Sequence, residues 1–213
     1  MWGWVVAHSH QNTLLSRLGF SDPDRSDPKH TLACEYLCKP DVARKVLAAV
    51  GYKDDPCDQP KPVVATWGSL SPVGSRFERL WVQTETPVMN GKFYIGFTDV
   101  AIHFSETIWT PYDSEHASGD KWNYKYTLKH NTRTILVEVK VKRCDPADAI
   151  KQVKLYREYQ SVWGAVVATC YPVSQSTKDM LKREGIHHIF LGAGFEAYCA
   201  ERRAEKPVSE EGL

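Results

Sequence analysis

The chain has 213 residues, 42% of them hydrophobic and 25% charged, with a formal net charge of +1. This length and composition support one domain with a sizeable core, and they exclude wholesale disorder, an acidic solvating protein and a uniformly basic nucleic-acid coat. Six dispersed cysteines, the lack of an apolar run of about 20 residues and a start unlike a signal peptide favour a reducing, intracellular compartment without a membrane span.

The first 75 residues predict a helical and loop extension. Turn signals rich in Pro and Asp surround one stretch of near-helical apolar spacing, residues 31–50. Pro40 is expected to divide that stretch in two, because proline lacks the N–H that a helix interior needs, and Gly51 suits its end.

From residue 77 onward the pattern is typical of strands. Residues 79–88 alternate and lead into Asn90-Gly91, a hairpin turn signal. Residues 92–104 predict the second strand of that hairpin.

An insertion is expected after this hairpin. Residues 105–120 hold four acids and no Lys or Arg, which predicts a polar loop. Residues 122–128 predict a short strand within the same insertion. A strongly β-branched strand follows over residues 134–142.

The second half predicts helices that alternate with strands. Asp145 caps a helix that Pro146 opens and that runs to about residue 160. The nearly all-apolar residues 162–171 predict a strand buried on both faces. The remaining expected elements are a helix from Ser174 to Gly185, a strand over 186–191, a helix over 195–204 and a flexible tail over 206–213.

The order of these elements predicts an α/β domain with a mixed central β-sheet flanked by helices. The early strands suit antiparallel pairing, and the later strand–helix–strand passages suit parallel crossovers. We therefore expect a core domain over residues 76–205 that follows an N-terminal helical extension over residues 1–75.

Two carboxylates on neighbouring predicted strands point to metal chemistry. Asp99 lies in an otherwise apolar strand, where a charge is costly unless it has a partner. In the sequence Glu138-Val139-Lys140, the first and third residues share one face of their strand while Val139 faces the core. Asp99 and Glu138 can hold Mg²⁺ or Mn²⁺, which prefer oxygen ligands, and Lys140 beside them can orient a water or neutralise charge on a phosphate.

A third pair follows on the next helix. Gln152 and Tyr156 are four apart and share one helix face, and their helix directly follows the strand of Glu138. Each piece alone is typical of ordinary packing or of a solvated pair. What favours a functional site is their order, with a capped helix directly after the Glu138 strand.

With these three motifs the sequence resembles the PD-(D/E)XK nuclease superfamily, and most closely its RecB-like exonuclease branch. That branch is marked by Gly-x-x-Asp, Asp/Glu-x-Lys and Gln-x-x-x-Tyr motifs, which stand here at Gly96–Asp99, Glu138–Lys140 and Gln152–Tyr156, within residues 77–192. The resemblance implies a restriction-endonuclease-like fold and metal-dependent hydrolysis of DNA phosphodiester bonds. An exonuclease is slightly favoured over a restriction-type or structure-selective endonuclease.

The resemblance also implies roles for single residues. It assigns metal ligation to Asp99, Glu138 and the Val139 carbonyl, catalysis to Lys140, and positions beside the site and the nucleic acid to Gln152 and Tyr156. Members often add an acidic or His residue from the first helix, and the candidates here are Glu35, Glu78 and Glu85. The stretch between Asp99 and Glu138 is longer than compact members have, which agrees with an insertion.

The cysteines depart from one subset of the branch. Some members hold an iron–sulfur cluster with one early cysteine and three clustered late ones. Here the late cysteines are dispersed, at positions 144, 170 and 199, so we expect no cluster. The early cysteines, which can bind a metal or lie buried as free thiols, are Cys34, Cys38 and Cys57.

The local charge supports a nucleic-acid partner. Residues 121–157 hold ten Lys or Arg and three acids, a balance of +7 in a chain of net +1. Interleaved aromatic residues are Trp122, Tyr124, Tyr126 and Tyr156. Together they predict a groove that tracks phosphates and stacks bases, although a solvated helix face accounts for part of the charge. The histidines treated as structural are His8, His10, His187 and His188.

Two other classes of function stay open. One is a non-catalytic nucleic-acid-binding module on the same fold, and the other is an interaction protein in which Asp99 and Glu138 form buried ion pairs. The sequence leaves open DNA against RNA, the polarity of cutting and the oligomeric state. It also leaves open whether residues 1–75 select the substrate or dock a helicase or another replication, repair or recombination protein.

Overall fold

The structure is a computed structural model that describes residues 27–53, 74–118 and 121–205, with side chains described except at 74–75 and 111–124. Several expectations lie outside the described residues: the turn signals before residue 27 and over 54–73, Cys57, the two N-terminal histidines, the tail over 206–213 and the rings of Trp122 and Tyr124. No helix in the described part of the chain is long and apolar enough to cross a membrane.

Two short helices form the described N-terminal part, α1 (Pro28–Leu37) and α2 (Pro40–Ala49). Both begin with proline, and the Asp27 side chain caps α1 by accepting a hydrogen bond from the Lys29 N–H at 2.9 Å. After α2, Gly51 adopts φ +88°, a left-handed conformation that glycine tolerates. The division of the helical stretch at Pro40 is thereby confirmed.

Three long antiparallel strands follow: β1 (Gly74–Asn90), β2 (Phe93–Ser118) and β3 (Lys121–Lys140). The predicted hairpin turn is confirmed, and Gly91 within it has φ +58°. The three strands make up the antiparallel part of the sheet.

The prediction of a polar loop over 105–120 is wrong. β2 continues to Ser118, and β3 pairs with it from Lys121 onward, so residues 122–128 and 134–140 belong to one strand. One acid of this region, Glu106, has a partner across the sheet: its carboxylate is buried and accepts a hydrogen bond from Arg133 of β3. Local composition indicates a loop because it contains no information about such a partner.

The second half alternates helices and strands: α3 (Pro146–Tyr159), β4 (Gly164–Thr169), α4 (Gln175–Arg183), β5 (His187–Phe190) and α5 (Gly192–Glu205). Asp145 caps α3, accepting from the Ala147 N–H at 2.9 Å, as predicted. Ser174 caps α4, accepting from the Thr177 N–H at 3.2 Å.

The sheet has the order β1-β2-β3-β4-β5, with β3, β4 and β5 parallel. The predicted α/β architecture with a mixed central sheet is confirmed at this level. β3 is the central strand, since it pairs antiparallel with β2 on one side and parallel with β4 on the other.

Helices cover both faces of the sheet. On one face, α1, α2 and α5 pack against inward-facing strand residues that include Val137, Val139 and Val166. On the other face, residues of α3 and α4 pack with Ala165 and Val167 of β4. The predicted alternation of β3 is confirmed, because Val137 and Val139 lie in the first core while Leu136 packs on Tyr156 of α3.

Phe104 joins several elements on the first face. Its ring is fully buried and lies 4.8 Å from the ring centre of Tyr52, after α2, and 5.4 Å from that of Trp163, before β4. We predict that Phe104→Ala lowers the free energy of unfolding by about 3–5 kcal/mol, as expected for an emptied aromatic core position. Urea denaturation measures the loss.

The matched control is Phe93→Ala on the same strand, where the ring is 76% exposed. Removal of an exposed ring is expected to change the free energy of unfolding by no more than about 0.5 kcal/mol. Equal losses in the two variants would contradict the described packing of β2.

Candidate functional site

The site lies where β2 and β3 separate. Main-chain pairing of the two strands begins with Val100 opposite Val137. Beyond it, the Val139 N–H donates to Asp99 Oδ2 at 2.7 Å, and Thr98 Oγ1 donates to the Val137 carbonyl at 3.4 Å. Beyond Val100, side chains of β2 rather than its main chain form hydrogen bonds with the β3 backbone. These bonds fix the Asp99 carboxylate against β3.

Glu138 and Lys140 lie on the same face of β3 and form a buried ion pair. Lys140 Nζ donates to Glu138 Oε1 at 2.9 Å, and the two residues are only 6% and 1% exposed. A solvated pair on a strand surface would leave both side chains in water. The burial instead marks a place where the fold carries the cost of removing charges from water.

Gln152 and Tyr156 connect α3 to this pair. The Lys140 ammonium lies 3.5 Å from Gln152 Oε1, Gln152 Nε2 donates to the Tyr156 hydroxyl at 3.0 Å, and that hydroxyl donates to the Phe97 carbonyl at 2.8 Å. Both α3 side chains are buried. The result is one continuous set of hydrogen bonds from β3 through α3 to β2.

His30 of α1 is a further site residue that the sequence analysis missed. Its ring is buried, with Nε2 3.4 Å from Asp99 Oδ2 and Nδ1 3.8 Å from Cys34 Sγ. The available signal is its spacing, since it lies three, four and seven residues before Ala33, Cys34 and Leu37 on the buried face of α1. A polar residue on such a face needs a partner in the core.

The acidic candidates for this position have other partners. Glu35 accepts from the Tyr198 hydroxyl of α5 at 3.0 Å, and Glu78 contacts side chains of β2 and β3. Glu85 is exposed on β1. The first helix does contact Asp99, through His30.

The donor set fits a hard divalent cation. Asp99 and Glu138 offer carboxylate oxygens and Val139 a carbonyl oxygen, which are the ligand types that Mg²⁺ and Mn²⁺ prefer. Within the described ranges, no group of three or more His, Cys, Asp or Glu side chains is placed to hold a metal ion. An ion at this site would therefore depend on two carboxylates with water completing its shell, an arrangement common for Mg²⁺.

The described early cysteines do not favour a thiolate site. Burial, and secondarily Glu35, raises the pKa of the half-buried Cys38 thiol, which disfavours the thiolate that binds metals. Cys34 is buried in the core beside His30.

The basic run over 121–157 is divided between elements rather than continuous. Lys140 is buried, while Lys151 and Lys154 are exposed on α3 and pair with Asp148 at 3.5 Å and Glu184 at 2.6 Å. Tyr156 is 1% exposed, so its predicted use as a stacking ring is wrong: its face packs in the core and its hydroxyl holds Gln152.

No family model, curated protein or solved structure matches this chain. The functional interpretation therefore depends on the contacts described above and on the three short motifs. Those motifs meet at one place in the fold, although they lie on β2, β3 and α3.

We predict that Glu138 and Lys140 are strongly coupled in the metal-free protein. Glu138→Gln and Lys140→Met each leave one buried charge without its 2.9 Å partner and should each lower the free energy of unfolding by roughly 3 kcal/mol. The double variant should lose clearly less than the sum, since both charges are then gone. Urea unfolding in EDTA measures all three variants.

The exposed pair Lys154–Glu184 is the control for this cycle, with a similar N–O separation of 2.6 Å. Solvent screens an exposed pair, so its coupling should be much smaller. Equal coupling in the two pairs would contradict the described burial of Glu138 and Lys140.

Proposed function

We propose that the protein is a metal-dependent nuclease of the PD-(D/E)XK type that hydrolyses DNA phosphodiester bonds, with an exonuclease favoured. The observation that carries the proposal is the buried contact network in which Lys140 touches both Glu138 and Gln152, next to the backbone that holds Asp99. Residues far apart in the sequence supply carboxylates, a lysine and an amide at one point.

The architecture is consistent with this assignment. The motif strands β2 and β3 are neighbours in a mixed sheet, and α3 with its Gln-x-x-x-Tyr motif packs on the same face of β3 as Glu138 and Lys140. We propose that the sheet and its helices form a restriction-endonuclease-like fold.

The charges of the site suit a cation and a phosphate. The contacts bring together two carboxylates, Asp99 and Glu138, and one ammonium, Lys140, with His30 beside them. The formal charges of Asp99, Glu138 and Lys140 sum to −1, and a divalent cation would bring the sum to +1. A phosphodiester, which carries one negative charge, then completes the balance inside a buried site.

The chain's own residues would hold and orient the reactants. Asp99 and Glu138, with the Val139 carbonyl, would hold the cation, which when bound polarises a phosphoryl oxygen and lowers the pKa of a bound water. Lys140 would stabilise the negative charge that develops on the phosphoryl oxygens. Gln152 acts through Lys140, since its amide oxygen lies 3.5 Å from Nζ and fixes the direction of the ammonium.

A non-catalytic nucleic-acid-binding module is the second candidate. The observation that favours it is the 2.9 Å contact between Lys140 and Glu138, which a purely structural ion pair would also make. The two candidates differ in one measurable respect, because only the nuclease requires a metal to change its substrate.

We predict that the protein cleaves end-labelled DNA with Mg²⁺ or Mn²⁺ and not with EDTA. Glu138→Gln removes a ligand charge and Lys140→Ala removes the ammonium, so each should slow cleavage by about 10²-fold or more. Electrophoresis of linear and circular single- and double-stranded DNA measures the rates. Circles that survive indicate an exonuclease, and nicked circles indicate an endonuclease.

Glu106→Gln is the matched control, since Glu106 is also a buried glutamate but pairs with Arg133 outside the site. It should leave the cleavage rate near that of the wild type. DNA binding without metal-dependent cleavage would contradict the nuclease and favour the binding module. Equal losses of cleavage rate in Glu106→Gln and Glu138→Gln would show that the effect of Glu138→Gln comes from folding.

We predict a separate role for the exposed lysines of α3. Their pairs with Asp148 and Glu184 are exposed, so phosphates can compete for both ammonium groups. Lys151→Ala combined with Lys154→Ala should weaken DNA binding and flatten its dependence on salt, because fewer counterions are released. Binding titrations in EDTA at several salt concentrations measure the slope.

The control for this pair is Lys182→Ala combined with Arg183→Ala in the last turn of α4, which removes two exposed charges. It should leave the slope closer to that of the wild type. An unchanged slope in the α3 variant would contradict a phosphate contact by this helix.

A further inference from the structure

A cavity of about 370 Å³ lies directly beside Lys140, and no step of the proposed hydrolysis uses it. It sits where the parallel strands β3 and β4 end, at Lys140 and Thr169, and between the first turns of α3 and α4. In α/β sheets, ligands typically bind outside the carboxyl ends of parallel strands. The volume is near the lower end of the roughly 300–1,000 Å³ of small-molecule sites.

One side of the cavity is polar and basic. It is lined by Lys140, Arg143, Thr169, Ser174 and His188. His188 Nε2 and Thr169 Oγ1 are 3.0 Å apart, so these two side chains hold each other at the floor of the cavity. Burial, and secondarily Lys178, lowers the pKa of His188, which favours a neutral ring that can accept or donate a hydrogen bond near pH 7.

The other side is apolar and includes an aromatic ring. It is formed by Pro146 and Ala149 of α3 and by the Tyr171-Pro172-Val173 segment after β4. The Tyr171 ring is partly exposed, and its hydroxyl is 3.6 Å from Cys144 Sγ, which helps to fix its position at the rim. An apolar lining that includes an aromatic ring suits a nucleobase, because every base has a face that can stack.

Arg143 is the second charged group at the cavity, three residues beyond Lys140. Within the described ranges its guanidinium makes no ion pair, in contrast to Lys142, which binds Asp27 at 3.1 Å. An arginine that lines a cavity and is not neutralised by the protein is suited to bind a phosphate with two parallel hydrogen bonds.

We propose that this cavity binds the terminal nucleotide of a DNA strand, with its phosphate at Arg143 and its base against the apolar wall. The inference rests on the proposed nuclease function and deepens it, since a cavity of this size beside Lys140 accepts one nucleotide and not a continuous duplex. It assigns the enzyme to strand ends and makes its binding tolerant of sequence, because stacking does not distinguish bases strongly.

Binding of a single nucleotide tests the cavity apart from cleavage. Isothermal titration calorimetry uses the full chain in EDTA with thymidine 5′-monophosphate as the probe. We expect binding by the wild type and a loss of at least about tenfold in Arg143→Ala, where one charge-assisted pair is removed at an exposed position. Val173→Trp fills the cavity and should abolish binding, and circular dichroism checks its fold.

Arg183→Ala is the matched control, since Arg183 is also exposed but does not line the cavity. It should bind the nucleotide as the wild type does. Equal weakening in Arg183→Ala and Arg143→Ala, or no binding by the wild type, would overturn the assignment.

Cleavage assays with Mn²⁺ then distinguish a cavity that binds strand ends from one that binds only free nucleotides. If the cavity takes strand ends, Arg143→Ala should slow degradation of linear DNA, and added thymidine 5′-monophosphate should inhibit the wild type. If Arg143→Ala and Val173→Trp both degrade linear DNA at the wild-type rate, the assignment to strand ends is overturned while the nuclease stands. Nucleotide binding that Arg143→Ala weakens, without cleavage under any condition, would support the cavity and overturn the nuclease.

Discussion

The hydrogen bond from the Val139 N–H to the Asp99 carboxylate, at 2.7 Å, is the constraint on which the site depends. In the middle of a sheet every main-chain N–H needs an acceptor, and a neighbouring strand normally supplies it. Here a side chain supplies it, so β2 can leave β3 without an unsatisfied group. The same contact fixes the Asp99 carboxylate where the two strands separate, next to Glu138 and Lys140.

The remaining contacts follow from the charge that this arrangement buries. Asp99 and Glu138 are both 1% exposed, and a buried carboxylate is costly unless charged or polar groups surround it. Lys140, on the same face as Glu138, forms an ion pair with it, and His30 from α1 lies beside Asp99. Gln152 and Tyr156 then hold the lysine from α3, so three layers of the fold meet at the site.

The elements that the sequence predicts well are those whose signals are local. The alternation of Val137 and Val139 predicts the core face of β3, and Asp145 predicts the start of α3. The long β2–β3 hairpin could not be predicted, because a buried acid such as Glu106 looks like a loop residue unless its partner is known. That partner, Arg133, lies on the neighbouring strand. His30 was missed for the same reason, since its contact with Asp99 depends on how α1 packs across the end of the sheet.

The mixed sheet explains why one place can offer both a charged cluster and a cavity. The antiparallel strand β2 passes beside β3 and contributes Asp99 from within its length, which a strand ending at the same edge would not do. The parallel strands β3 and β4 end side by side, at Lys140 and Thr169, and the chain turns there into α3 and toward α4. Those two turns stand apart and leave the cavity that Arg143 lines. Lys140, the last residue of β3, therefore contacts Glu138 and also lines the cavity. In the proposed nuclease, one ammonium would thus lie between the metal-binding carboxylate and a nucleotide in the cavity.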